Sequence, residues 1–239
     1  MRRIMQIFLD AVFPPRCVAC GVHLDNAKGG VLCDRCRKSI PIHTAFFCAE
    51  CKKRRPEGKK TCHPGAEFLV AAASSYNNRA LRELVHAWKY NNILAASKEA
   101  QKIIEAYVGE VAYLFDRTRY SIVPVPLYAG KERKRGFNQA REIAEILLKS
   151  LTARGISAEI IEPLSRVRNT RTQTKMESFK ERDKNLAGAF QIKNRGCVSG
   201  KNIVFIDDVF TSGATMREAA RVLKLAGAKK IIGFVLALA

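Results

Sequence analysis

The chain has 239 residues with 42 Lys+Arg against 22 Asp+Glu, a formal net charge of +20, and 47% of its positions are hydrophobic. That apolar content excludes an intrinsically disordered chain, because enough core is available to offset the conformational entropy lost on folding. No run of 18 apolar residues occurs, which excludes a transmembrane helix of ordinary length. The opening stretch MRRIMQIFLDAVFPP is basic and then apolar, but Gln6 and Asp10 interrupt it and no small-residue cleavage site follows. It reads as an amphipathic helix rather than a secretion signal.

Seven of the eight cysteines precede residue 63 and the eighth is Cys197, so the first quarter of the chain obeys different chemistry from the rest. With no export signal, the cysteines are expected in a reducing cytoplasm, where clustered CxxC pairs act as metal ligands. Cys17 and Cys20, then Cys33 and Cys36, form two such knuckles. Two thiolates from each of two tight turns complete a tetrahedron around one zinc ion, and four closed ligands leave no position for a reacting water. This zinc is therefore expected to be structural. Cys48 and Cys51 form a third knuckle, followed only by Cys62 and His63 where a fourth CxxC is expected. Adjacent ligands chelate one ion with difficulty, so the sequence leaves a second zinc at Cys48, Cys51, Cys62 and His63 open. His23 and His43 are expected on the surface or against a backbone carbonyl.

Pro56, Gly58, Pro64 and Gly65 lie among lysines and mark a boundary between a cysteine-rich module over 1–66 and a larger domain over 67–239. In the larger domain, Asn77 or Asn78 caps a helix whose Leu81, Leu84, Val85 and Trp88 form one buried face. SIVPVPL at 121–127 reads as a strand, and 137–151 as a helix with Ala140, Ile143, Ala144 and Leu147 inward. NIVFIDDVF at 202–210 is a fully buried strand, 215–225 a helix ended by Gly227, and KIIGFVLAL a closing strand. Strands alternating with helices predict an α/β fold, a parallel sheet flanked by helices with ligands at the carboxyl ends of its strands.

Asp207 and Asp208 stand at the end of one such strand, followed by Thr211, Ser212, Gly213, Ala214 and Thr215 and then a helix. Loop N–H groups, hydroxyls and the positive helix end make a phosphate cradle, and the carboxylates suit sugar hydroxyls. A phosphorylated ribose fits from both ends. The segment resembles the phosphoribosyl-diphosphate (PRPP) motif of type I phosphoribosyltransferases. That resemblance implies a type I phosphoribosyltransferase-like sheet, with Asp207 and Asp208 on the ribose 2′ and 3′ hydroxyls and residues 211–215 on the 5′-phosphate.

The order of CxxC knuckles, LRELVHAWKY, VPVPL, KRGFNQA, RNTRTQTKM, RDKNLAGAF and the acidic loop resembles the ComF family nearly end to end, most closely at Arg135 to Gln139 and at Asp207 and Asp208. Members are linked to natural competence, the import of single-stranded DNA. The resemblance implies that Lys89 with Tyr90, and Arg133 to Arg135, meet the pyrophosphate, that Mg²⁺ accompanies PRPP, and that 168–174 is a catalytic loop carrying Arg171 and Gln173. The implied chemistry is displacement of pyrophosphate from ribose C1. No general base or nucleophile is evident: His86 is expected to be partly buried and structural, and Cys197 is isolated.

The surplus charge is an argument about polyanionic partners. Basic residues cluster at Lys52, Lys53, Arg54 and Arg55, at Lys59 and Lys60, and at Lys131 to Arg135. Three readings follow: an enzyme with an unidentified acceptor, a single-stranded-DNA-handling protein in which Phe46, Phe47, Phe68 and Tyr76 stack bases beside the basic residues, or a module that docks an uptake helicase or another competence protein. Each places the chain in the cytoplasm, peripheral to the membrane uptake machinery.

Overall fold

The computed structural model describes residues 15–24, 30–58, 60–90, 94–168 and 186–239. The opening stretch expected to form an amphipathic helix and the segment holding Arg171 and Gln173 lie outside them.

One seven-stranded sheet organises the chain. In chain order its strands are β1 (Phe46–Cys48), β2 (Arg54–Arg55), β3 (Leu69–Ser75), β4 (Tyr120–Pro124), β5 (Ala158–Ile160), β8 (Asn202–Phe210) and β9 (Lys230–Leu238), arranged β2-β1-β3-β9-β8-β4-β5. A separate antiparallel pair is formed by β6 (Leu164–Arg166) and β7 (Phe190–Ile192). The five strands from β3 to β5 are parallel, as expected of alternating strands and helices. The antiparallel edge comes from the cysteine-rich segment, where β1 pairs with β3 at Phe46↔Ala71 and Cys48↔Leu69.

Alternation along each buried strand serves two cores. On one side, Val204, Ile206, Ile232 and Phe234 pack with α2 (Arg79–Tyr90), α3 (Leu94–Val111) and α5 (Gln139–Thr152). On the other, Ile203, Phe205 and Val235 pack with α6 (Ala214–Leu225) and with Leu164 and Phe190 of the small pair. Asn78 is the residue that caps α2, its Oδ1 accepting from the Leu81 amide at 3.0 Å. Asn138 caps α5 in the same way through Ala140, at 3.0 Å, and Ala140, Ile143, Ala144 and Leu147 are buried.

The cysteine-rich segment is built into these cores. Phe46 enters one and Phe47 the other, and Phe68 stacks edge-on against Phe205 at 5.0 Å. All three are buried, so they are not available to stack bases. Hydrophobic burial took them because neighbouring strands place alternate side chains into opposite cores. Only Tyr76 of the four expected aromatics is partly exposed. At the other end, Arg37 of the short α1 (Asp34–Lys38) grips Glu99 of α3 through two hydrogen bonds of 2.8 and 2.9 Å. The Glu99 side chain is 3% exposed, and this buried pair docks the first knuckles to the helical layer.

Candidate functional site

Strand β8 runs as an apolar strand to Ile206 and then places Asp207 and Asp208 at its carboxyl end. The Asp208 amide donates to Asp207 Oδ1 at 2.8 Å, which fixes one carboxylate against the backbone of the next residue. Gly213 follows as the N-cap of α6 with φ +79, where a side chain would be strained. A Cβ there would also lie 2.5 Å from Phe210 Cζ, so glycine is required both by the turn and by the close approach. Ser212 is buried, and its Oγ accepts from the Ala214 amide at 3.4 Å. The loop 211–215 thus presents backbone N–H groups at a helix start, as an anion cradle requires.

Cations converge on the acidic pair. Lys89, at the end of α2, places Nζ 2.8 Å from Asp208 Oδ2, with both side chains largely shielded from water. Burial alone would lower the Lys89 ammonium, but the Asp208 carboxylate, helped by Asp207, reverses this and raises it, with Arg135 opposing. Burial and then the Asp208 charge push the Asp207 carboxyl up to about 7, against the pull of Lys89 and Arg166. Arg166, on β6, is drawn down by its own burial while the Asp207 charge holds it up, and it lies over the Phe190 ring at 5.4 Å. Lys131, on α4 (Ala129–Arg135), is lowered by burial and by the charges of Arg166 and Arg135.

Four cations from three elements, Lys89 of α2, Lys131 and Arg135 of α4 and Arg166 of β6, therefore gather about the two carboxylates. Arg166 escapes a local sequence reading, and Lys131 is visible there only as part of a basic cluster, because only the fold brings α4 and β6 to the end of β8. Sequence proximity to Arg133 and Arg135 was the signal for Lys131. Gln139, held by Arg135 at 3.2 Å, is 1% exposed, and its Nε2 has no hydrogen-bond partner among the described residues. A cavity of about 480 Å³ adjoins this cluster, walled by Pro124, Pro126, Leu127, Phe137, Ser165 and Arg166.

The structure places three histidine and cysteine residues singled out in the sequence. His86 is exposed rather than partly buried, because it lies on the outer face of α2, where Nε2 shares a 3.2 Å hydrogen bond with the Tyr76 hydroxyl. Cys197 sits half-buried in a short turn of helix, outside both cysteine clusters. His43 meets the Ala72 carbonyl at 3.0 Å, as a structural histidine should.

The sulfurs assemble two centres. Cys17, Cys20, Cys33 and Cys36 form one and Cys48, Cys51, Cys62 and His63 the other, with the ligand atoms of each within 4.8 Å of one another. A zinc tetrahedron with bonds of ~2.3 Å has edges of ~3.8 Å. Cys20 and Cys33 Sγ are 3.8 Å apart, while Cys48 Sγ stands 3.7 Å and Cys62 Sγ 3.3 Å from His63 Nδ1. The second centre, left open by the sequence, is therefore assembled. Adjacent Cys62 and His63 stay exposed, and both reach the other two ligands where the chain bends before β3. Within the first centre, backbone N–H groups outweigh burial and draw Cys17 down to about 6, while burial and its thiol neighbours push Cys36 up to about 12. Backbone N–H groups likewise hold Cys48 down to about 6, and Cys51 with burial pushes Cys62 up to about 11. Sulfurs crowded this closely cannot all ionise without a cation between them.

The basic run after the third knuckle is divided by the fold. Lys53 and Arg54 are exposed, and Arg54 donates to Thr44 Oγ1 at 2.7 Å. Lys52 turns inward, its Nζ donating to the Ala239 carbonyl at 2.5 Å.

Comparison with known proteins agrees with both halves. Residues 8–64 match a double zinc ribbon domain and residues 89–239 a phosphoribosyl transferase domain. The chain is 26% identical over 230 residues to Competence protein F of Haemophilus influenzae, covering 90% of this chain and 93% of that protein. It is 28% identical to Competence protein ComFC of Bacillus subtilis, over 80% of this chain and 77% of the relative. It is 30% identical to DNA utilization protein YhgH of Salmonella typhimurium, over 84% and 81% respectively. The two centres are structural zinc sites of a double zinc ribbon, and the chain belongs to the phosphoribosyl transferase domain family as a ComF-type member of it.

Proposed function

We propose that this protein binds PRPP with Mg²⁺ and transfers its phosphoribosyl group, releasing pyrophosphate, in the service of DNA uptake. The observation that carries this reading is the carboxylate pair at the end of β8 leading directly into the glycine-capped start of α6, beside a group of partly buried cations. The backbone N–H groups of the 211–215 loop would hold the 5′-phosphate, and Asp207 with Asp208 the ribose hydroxyls. Lys89, released from Asp208, would turn to the diphosphate together with Arg135, Lys131 and Arg166. Oxygen donors in an acidic pair suit a hard cation such as Mg²⁺, which supplies charge neutralisation for the leaving diphosphate. These cations would stabilise the negative charge that gathers on the departing oxygen. Arg171 and Gln173 are proposed for the loop that closes over the bound sugar. The cavity beside Arg166 is the room for the acceptor.

Calorimetric titration of PRPP with Mg²⁺ tests this. The parent should bind saturably and an Asp207→Asn, Asp208→Asn variant should not. Equal heats from both proteins would remove the carboxylates from the site.

A second activity, contact with single-stranded DNA, is favoured by a groove of about 470 Å³ at the opposite rim of the sheet, whose lining includes Lys60, Lys224, Lys229 and Lys230. A strand of phosphates laid there would be held by counterion release, with each lysine contact contributing ~0.7 to the salt slope. Lys224→Glu with Lys229→Glu should lower oligothymidine affinity and flatten that slope by ~1.4, measured by fluorescence anisotropy across a salt series. PRPP binding should be unchanged, since the groove lies away from the carboxylates. An unaltered slope would move the DNA contact elsewhere. No helix among the described residues is long and apolar enough to cross a membrane. Action in the cytoplasm, beside the membrane uptake machinery and its helicase, fits this reading.

A further inference from the structure

We propose that Glu142, on α5, is the catalytic base of the acceptor cavity, and that the acceptor is a neutral nucleophile that brings a proton and gives it to this carboxylate. This rests on the phosphoribosyl-transfer reading and adds to it a proton acceptor. The acidic motif supplies none, since Asp207 and Asp208 are assigned there to the ribose hydroxyls.

Three observations carry it. Glu142 lines the cavity of about 480 Å³ beside Arg166. That cavity adjoins the strand end which bears the carboxylate pair. Pro124 in its wall pairs with Ile206 of β8, the residue before Asp207. Asn138, the cap of α5, donates through Nδ2 to the Val125 carbonyl at 3.2 Å, and the Val125 amide donates to the Ile206 carbonyl at 2.9 Å. Two hydrogen bonds thus tie the start of α5 to the end of β8.

The carboxylate is also aimed. Glu142 Oε2 accepts from Trp88 Nε1 at 3.2 Å, and this tryptophan is 2% exposed. Trp88 precedes Lys89, whose ammonium holds Asp208 at 2.8 Å, so the end of α2 fixes both the carboxylate of the cavity and a cation of the acidic pair. An indole offers one proton while a carboxylate has about four lone-pair sites, so this bond orients Glu142 and leaves Oε1 for a ligand.

Finally, Glu142 differs from the other carboxylates of the wall. Glu162 is paired with Arg141, and Glu132 is exposed to water. Glu142 is half-buried and forms no ion pair among the described residues. A cationic partner would have to be given up before such an oxygen took a proton, and the neutral indole imposes no such exchange. In the step this assigns, the nucleophile's lone pair forms the bond to ribose C1 as the bond from C1 to the leaving oxygen breaks. That bond's electron pair departs on pyrophosphate, and the nucleophile's proton passes to Glu142 Oε1.

Two small nucleophiles separate proton removal from any other role. Hydroxylamine reaches C1 with a proton to lose, whereas azide reaches it as an anion with none. Pyrophosphate release from PRPP with Mg²⁺ is followed with each, using the zinc-loaded full chain. Glu142→Gln keeps the size of the side chain and an oxygen for Trp88. It should slow the hydroxylamine reaction about a hundredfold and leave the azide reaction within about twofold of the parent's. Calorimetric affinity for PRPP should stay at the parent's value. In Glu142→Ala, added formate should restore part of the hydroxylamine rate without moving the azide rate. An equal loss with both nucleophiles would overturn the assignment, since it would make Glu142 only a wall of the cavity. An unchanged hydroxylamine rate would do the same. A larger loss in Glu132→Gln than in Glu142→Gln would overturn it by moving the proton to that carboxylate. A parent that binds PRPP yet releases no pyrophosphate with either nucleophile would instead remove the transfer reading, and the role of Glu142 with it.

Discussion

Stripping zinc with a chelator should collapse the whole molecule and not the ribbon alone. Structural zinc contributes on the order of 10 kcal/mol of apparent binding free energy to small metal-folded modules. Here the module is not separable. Cys48 of the second centre is the last residue of β1, and Cys62 and His63 stand shortly before β3, to which β1 is paired. Phe46 and Phe47, between the two centres, are buried in opposite cores, and Tyr107 of α3 donates to the Ala45 carbonyl at 3.1 Å. Losing the metal would therefore uncover apolar surface on both sides of the sheet. Calorimetric scans should show one cooperative transition that moves to much lower temperature as zinc is removed. Two transitions, with the upper one unmoved by chelation, would show instead that the transferase domain stands without its ribbon. Zinc content by elemental analysis should fall from two ions per chain in step with the shift, given the two assembled centres.

Much of this arrangement was legible from residues close together in the chain. The strand 202–210 and the helix that follows it were readable because a continuous apolar run, two acids and a glycine-capped turn are all local signals. Asn78, Asn138 and the inward face of α5 were readable for the same reason. β3 and α3 were not. The strand's Leu-Val-Ala-Ala-Ala run carries little β-branched or aromatic signal, and its burial comes from lying between β1 and β9. Helix α3 buries Ile103, Ile104, Tyr107, Val108 and Val111 at helical spacing, but small residues on both sides, Ala96 and Ala100 inward and Ala106 and Gly109 outward, blur that contrast in the sequence.

The site divides in the same way. Asp207, Asp208 and Gly213 belong to one motif, whereas Arg166 and Lys131 join them only through the packing of the small antiparallel pair and α4. The second zinc centre depended on a chain bend at Cys62 and His63 that ligand spacing alone does not encode. The aromatic residues were misassigned to DNA because composition cannot say which face of a strand will be covered. Phe46 and Phe47 became buried once β1 joined the sheet.

The partly buried carboxyl of Asp207, beside the Asp208 charge, should make the ligand-free protein less stable as pH rises, opposite to the trend of a salt-bridged acid. Burial, then the charge of Asp208, holds this group at about 7 against an ordinary value of 3.8. Between those values the folded protein keeps a proton that the unfolded chain has lost, so stability falls as pH rises through the window and levels off above it. A tenfold difference in proton affinity between the two states corresponds to ~1.4 kcal/mol, which makes the penalty at alkaline pH on the order of 4 kcal/mol. Asp207→Asn should remove that slope. It should be the more stable protein above pH ~7 and lose its advantage toward pH ~4, because the carboxyl it replaces is then neutral in both states.

Urea unfolding of both proteins over a pH series measures this directly, and parallel curves would show that Asp207 ionises freely in the fold. The same group sets the binding window. Under the proposed function the carboxylate would hold a cation and ribose hydroxyls, and affinity for PRPP with Mg²⁺ should then fall up to about tenfold for each pH unit below the folded value. Ligand binding then draws the proton from Asp207. On that reading, a site that is destabilising when empty at neutral pH becomes stabilising when filled, and the destabilisation is the consequence of keeping two adjacent carboxylates together at the end of a strand.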